Sequence, residues 1–63
     1  MPIFELTVLR NERPLRREQI RATGDEAAAI QALLRLASCR PGESLLLERD
    51  GSTRRMFGPK RAP

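Results

Sequence analysis

The stretch LLLERDGSTRR, residues 45–55, decides how the second half of this chain folds. Three leucines run into Asp50-Gly51, a strong hairpin signal, because both central residues of a type I′ turn need positive φ and Asp and Gly tolerate it. The pattern predicts a strand over residues 43–49 and a returning strand over 52–57. A two-residue loop sets Arg49 opposite Ser52, Leu47 opposite Arg54, Leu46 opposite Arg55 and Leu45 opposite Met56. In that register Arg54 shares the core-side face with Leu47 and Met56, and Arg55 is assigned to the opposite, exposed face.

Upstream of this hairpin, Thr23-Gly24-Asp25-Glu26 reads as a helix start. The Thr23 hydroxyl is expected to cap, with Glu26 reaching back to the Thr23 amide. Asp25 and Glu26 also suit the positive end of a helix dipole. Residues 27–38, AAAIQALLRLAS, are rich in strong helix formers. Ala27, Ile30, Leu33, Leu34 and Ala37 recur at helical spacing and are predicted to face the core, with Gln31, Arg35 and Ser38 turned away. Pro41-Gly42 ends the helix.

Residues 3–9 alternate with a period of two, which predicts a half-buried strand with Phe4, Leu6 and Val8 inward and Glu5 and Thr7 outward. Residues 11–14, NERP, read as a turn. A weaker strand follows over 15–22, apolar only at Leu15, Ile20 and Ala22, as expected for an edge. Leu9 opposite Leu15 carries Phe4 opposite Ile20.

The fold class is therefore α+β: two β-hairpins flanking one α-helix (ββαββ), an antiparallel sheet with the helix packed on one face. Residues 1–58 form one small domain and residues 59–63 a basic disordered tail with nothing to pack against. The predicted core is Phe4, Leu6, Val8, Ile20, Ala27, Ile30, Leu33, Leu34, Ala37, Leu45, Leu47 and Met56. The uncovered face of the sheet carries Glu5, Thr7, Arg17, Gln19 and Arg21, and partners are expected there. Neither the strand order nor the face of Leu46 follows from the pattern.

A chain of 63 residues buries only about 60% of its unfolded surface. A core that small supplies roughly 3–5 kcal/mol unless disulfides, a metal or oligomerisation adds to it. A single cysteine, Cys39, forms no intramolecular disulfide, and with no histidine it makes no zinc or iron site. Self-association is the aid that remains. No apolar run reaches the ~20 residues of a membrane span, and the N-terminus lacks the form of a signal peptide, so a cytoplasmic protein is expected.

Catalytic chemistry has little to work with. There is no His or Tyr, no glycine-rich phosphate loop and no nucleophile beside a base. The carboxylates are accounted for by capping, strand and turn positions. No enzyme activity, cofactor or small-molecule substrate is expected. Cys39 reads as a small apolar residue at the helix C-terminus rather than a sensor thiol activated by Arg40, since no resolving cysteine exists. Phe4 and Phe57 read as core rather than as stacking platforms for bases.

Two functional readings survive. The net charge is +4, divided as +2 over residues 1–23, −1 over 24–38 and +3 over 39–63. The leading reading is a small non-enzymatic binding protein acting through protein–protein contacts as a homodimer, because Leu36 and Leu46 fall partly off the predicted core faces. The alternative is a nucleic-acid-binding module with an Arg-rich sheet face, in which Arg16, Arg17, Arg21, Arg55, Lys60 and Arg61 contact phosphates. Against it, eight acidic residues lie among the basic ones, and Arg–Glu cross-strand pairs explain the same composition. No membrane partner is expected.

Overall fold

Residues 2–62 are described by the computed structural model. They form β1 (Ile3–Arg10), β2 (Arg13–Arg21), α1 (Asp25–Ala37), β3 (Glu43–Arg49) and β4 (Ser52–Phe57). The expected α+β fold is the one observed: two hairpins, one helix and a four-stranded antiparallel sheet that the helix contacts. The strand order is β2-β1-β3-β4. The hairpins thus join through β1 and β3, and β2 is an edge strand as expected.

Both hairpins close on two residues held at positive φ. Asp50 and Gly51 lie at 52° and 78°, as the sequence predicts. Asn11 and Glu12 lie at 51° and 65°, so the first turn is shorter than the expected NERP segment. Arg13 and Pro14 belong to β2, where Pro14 is tolerated on an edge.

Each edge strand carries one residue more than its partner can oppose. Val8 pairs with Arg16 and Leu9 with Pro14, leaving Leu15 as a bulge. Phe4 faces Ile20 as expected, but Leu9 does not face Leu15. In the second hairpin Arg49 faces Ser52 and Glu48 faces Thr53, after which the bulge at Arg54 shifts the pairs. Leu47 then faces Arg55, Leu46 faces Met56 and Leu45 faces Phe57. The expected pairs Leu47–Arg54, Leu46–Arg55 and Leu45–Met56 are each displaced by one. A one-residue slip sends each side chain to the other face. Met56, expected in the core, is 59% exposed, and Phe57 is buried in its place.

The core consists of Phe4, Leu6, Val8, Ile20, Ala22, Ala28, Ala29, Ala32, Cys39, Leu45, Leu47 and Phe57, with Ala27 and Leu36 packed against it. Its large side chains come from the sheet. The helix contributes mainly methyl groups, so its backbone can lie close over a layer that Phe4, Leu6, Leu45 and Leu47 already fill. That close approach reverses the predicted helix face: Ile30, Leu33 and Leu34 are exposed, and so is Ala37.

The helix start differs from the expected capping box. Gly24, in extended conformation, is the N-cap with no side-chain cap bond, and its carbonyl accepts from Ala28 N at 3.0 Å. At the other end Lys60 is fixed, although the sequence reading gave it nothing to pack against. Its amide donates to Glu43 O at 2.8 Å, its carbonyl accepts from Gly42 N at 2.8 Å, and its Nζ donates to Ala37 O at 2.6 Å. Gly58 permits this return at φ 92°, with Glu43 O only 3.2 Å from where a Cβ would stand. Pro63, the last residue of the expected tail, lies outside the described residues. Among the described residues no helix is long and apolar enough to cross a membrane.

Candidate interaction surface

Helix α1 is apolar on two sides, and the sheet covers one of them. Ala28, Ala29 and Ala32 point to the sheet; Ile30, Leu33 and Leu34 point away and are 60%, 52% and 68% exposed. With 3.6 residues per turn, these three and Ala37 form one continuous stripe. Three neighbouring exposed aliphatic side chains are an apolar patch rather than scattered singles. The helix is held with this side outward by polar contacts along its β2 flank. Arg35 pairs with Glu18, and Gln31 Nε2 donates to Arg21 O at 2.7 Å.

The charges at the two ends of the stripe differ in sign. Asp25 and Glu26 occupy the first turn of α1. Arg40 lies just past the C-cap, and Lys60 bonds the carbonyl of Ala37. Among the described residues, neither Glu26 nor Arg40 takes part in an ion pair within the chain.

The uncovered face of the sheet is the second surface. The register places Glu5, Thr7, Arg17, Gln19 and Arg21 on it together, as expected, and adds Ile3, Leu46 and Met56. Leu46 therefore faces away from the helix, opposite Thr7. Arg17 is engaged with Glu5 at 3.9 Å. Thr7 is only 3% exposed, and its Oγ1 has no hydrogen-bond partner among the described residues. Between Arg17 and Leu46 on the flanking strands, its hydroxyl is closed off from solvent.

The six cations proposed from sequence do not gather on one face. Arg17 and Arg21 lie on the uncovered face, and Arg16, opposite Val8, lies on the helix side of the same edge strand. Arg55 is on the other edge strand, on the helix side, where its guanidinium stands 5.2 Å from the centre of the Phe57 ring. Its expected place on the exposed face is thus corrected, and the Arg54 bulge is the cause. Lys60 closes the helix C-terminus. Arg61 is exposed.

Cys39 is buried, and its Sγ donates to Arg35 O at 3.4 Å. Burial, then the nearby Glu43 carboxylate, push its thiol pKa up; Arg16 and Lys60 pull weakly the other way. The buried Glu43 accepts from Arg40 N at 2.9 Å and stands 4.0 Å from Arg10. Among the described residues no three His, Cys, Asp or Glu side chains are grouped to hold a metal ion. A surface depression of about 320 Å³ lies between the β1–β2 turn and the Gly58-Pro59 segment. Asn11, Glu12, Ser44 and Met56 line it.

No protein-family model matches this chain, and neither a curated protein nor a solved structure matches it.

Sequence reasoning missed the outward stripe because it assigned those residues to the core. The signal was present: from Ala27 to Ala37 only Gln31 and Arg35 are polar. A helix apolar on nearly all sides needs cover on more than one. A lone sheet gives cover on one.

Proposed function

We propose that this chain is a small non-enzymatic binding protein that acts through protein–protein contact, as a homodimer formed on the outward face of α1. The observation that carries this reading is the exposed stripe of Ile30, Leu33 and Leu34 on the side of the helix opposite the sheet. Leu36, which first suggested an uncovered surface, packs against the core, and Ile30, Leu33 and Leu34 on the outward side take over that role. Covering side chains that are still half exposed stabilises by roughly 1–2 kcal/mol each. For a domain whose own core supplies only a few kcal/mol, that gain is a large fraction of the total.

The distribution of charge favours this reading over a phosphate-binding face. The candidate cations are divided between both faces and both edges, and three have work inside the fold: Arg17 with Glu5, Arg55 over Phe57, and Lys60 at the helix end. A contact of a few side chains per copy belongs with weak, reversible interfaces, so the dimer is expected to dissociate on dilution. Sedimentation equilibrium over a concentration series should show monomer giving way to dimer, with the melting temperature rising alongside. A monomer throughout, with an unchanged melting temperature, would overturn the proposal.

A further inference from the structure

Building on the dimer reading, we infer that the two copies pair α1 against α1 in antiparallel orientation, about a two-fold axis passing between Leu33 and Leu34. Three observations select that orientation, and each speaks against the parallel one.

The first is side-chain size. In the antiparallel pair Leu33 lies opposite Leu34 of the second copy, and Ile30 lies opposite Ala37. Large meets small at both ends and like meets like in the middle, so the two axes keep an even separation. A parallel pair sets Ile30 against Ile30 and Ala37 against Ala37. That is a wedge, tight at one end and loose at the other.

Charge is the second. Glu26 stands at the N-terminal end of the stripe and Arg40 past its C-terminal end, and neither has an ion-pair partner within the chain among the described residues. Antiparallel pairing brings Glu26 of each copy to the Arg40 end of the other, where Lys60 already adds a second cation. Parallel pairing sets carboxylate against carboxylate and guanidinium against guanidinium. The third is the helix dipole: head-to-tail alignment places each positive end beside a negative one. A C2 interface needs only one self-complementary patch, and this stripe is complementary to itself in shape and in sign. The product is a four-layer stack, sheet–helix–helix–sheet, with both uncovered sheet faces outward.

Disulfide trapping tests the orientation directly. In a Cys39→Ala background, Ile30→Cys and Ala37→Cys proteins are mixed in equal amounts and oxidised under conditions where sedimentation shows dimer. Both introduced positions are exposed, so neither substitution disturbs the core. Antiparallel pairing should give the mixed 30–37 disulfide as about four-fifths or more of the cross-linked product. Like-with-like disulfides would overturn the orientation and leave the dimer standing. Absence of dimer by sedimentation would overturn the dimer itself and the pairing with it.

Charge reversal supplies a second readout with Cys39 intact. Glu26→Arg and Arg40→Glu should each weaken dimerisation about fivefold, and the double variant should return to within about twofold of the parent. In a parallel pair each single reversal exchanges one like-charge contact for another. Single variants with parental affinity would therefore also overturn the orientation.

Discussion

Along α1, Ala28, Ala29 and Ala32 lie against the sheet, while Ile30, Leu33 and Leu34 lie on the other side. The two sides are apolar to different degrees, and the less hydrophobic one is inside. Hydrophobicity alone would turn the helix by about half a revolution, since the leucine side gains more from burial. Volume decides otherwise. Phe4, Leu6, Leu45 and Leu47 fill the layer under the helix from the sheet side, and only small residues above them let the backbone come close. A helix face is thus chosen by the space left beneath it as much as by its own apolar content.

The largest expected effect comes from breaking that fit. Ala32 is fully buried, and Ala32→Leu adds three carbons where the layer has no room for them. Overpacking of this kind costs about 2–3 kcal/mol, a drop of roughly 10–20 °C in melting temperature for a chain this small. Circular dichroism melts of dilute protein measure it. An unchanged melting temperature would mean that the helix does not present this side to the sheet.

The outward side predicts the reverse pattern. Leu34→Gln should leave the melt of dilute protein within about 0.5 kcal/mol of the parent, because the side chain is mostly in water. Dimer affinity should fall about tenfold. Were Leu34 in the core, the same change would cost several kcal/mol at any concentration. The pair Ala32→Leu and Leu34→Gln therefore reads the orientation of α1 from stability alone.

The two sides were unequally legible in the sequence, and so were the two hairpins. Period-two alternation placed Phe4, Leu6 and Val8 inward, and the uncovered face of the first hairpin was read residue by residue. Asp50-Gly51 placed its turn because positive φ has a residue preference. The bulges at Leu15 and Arg54 have no comparable signature: a bulge of this kind inserts an ordinary residue, and pairing beyond it slips without notice. From Arg54 onward that slip reversed Arg55 and Met56, and with Arg55 went the best-placed member of the proposed phosphate-binding set; Phe57, read as core because aromatics are so few, is buried. The helix was legible as a helix throughout. Which side it buries depends on a layer built by residues distant in sequence, and no count along the helix contains that.

A smaller effect of opposite sign is expected at Thr7, whose buried hydroxyl makes no hydrogen bond to the described residues. Unpaired buried polar groups are destabilising, while an apolar group of the same shape keeps the packing. Thr7→Val should raise stability by about 0.5–1 kcal/mol in the same dilute melts, without altering dimer affinity. A loss of stability would mean that the hydroxyl is satisfied. The contrast between the molecule's two outer surfaces is then sharper: on the proposed dimer the helix side should answer to concentration, and the sheet side should not.

The smallest effect concerns Cys39, which sits where the inner side of α1 ends. Burial first, and the Glu43 carboxylate second, raise its thiol pKa above the ordinary value of 9.0. The protonated thiol is therefore favoured in the folded chain relative to the unfolded one. With the folded pKa the higher of the two, the unfolded chain binds fewer protons between them, and stability declines as pH rises through that interval. Cys39 thus contributes fully below the ordinary thiol pKa, and its contribution is lost as pH climbs through the raised value. Chemical denaturation from pH 7 to pH 10 should show the parent losing stability faster than Cys39→Ala, with the difference confined to the alkaline end. The comparison with the variant cancels whatever the rest of the chain contributes to the alkaline slope. At pH 7 the thiol is neutral in either state, so alkylation by iodoacetamide should be slower in the folded protein than after unfolding. Equal rates would place the sulfur in water, outside the layer that the small side of the helix seals.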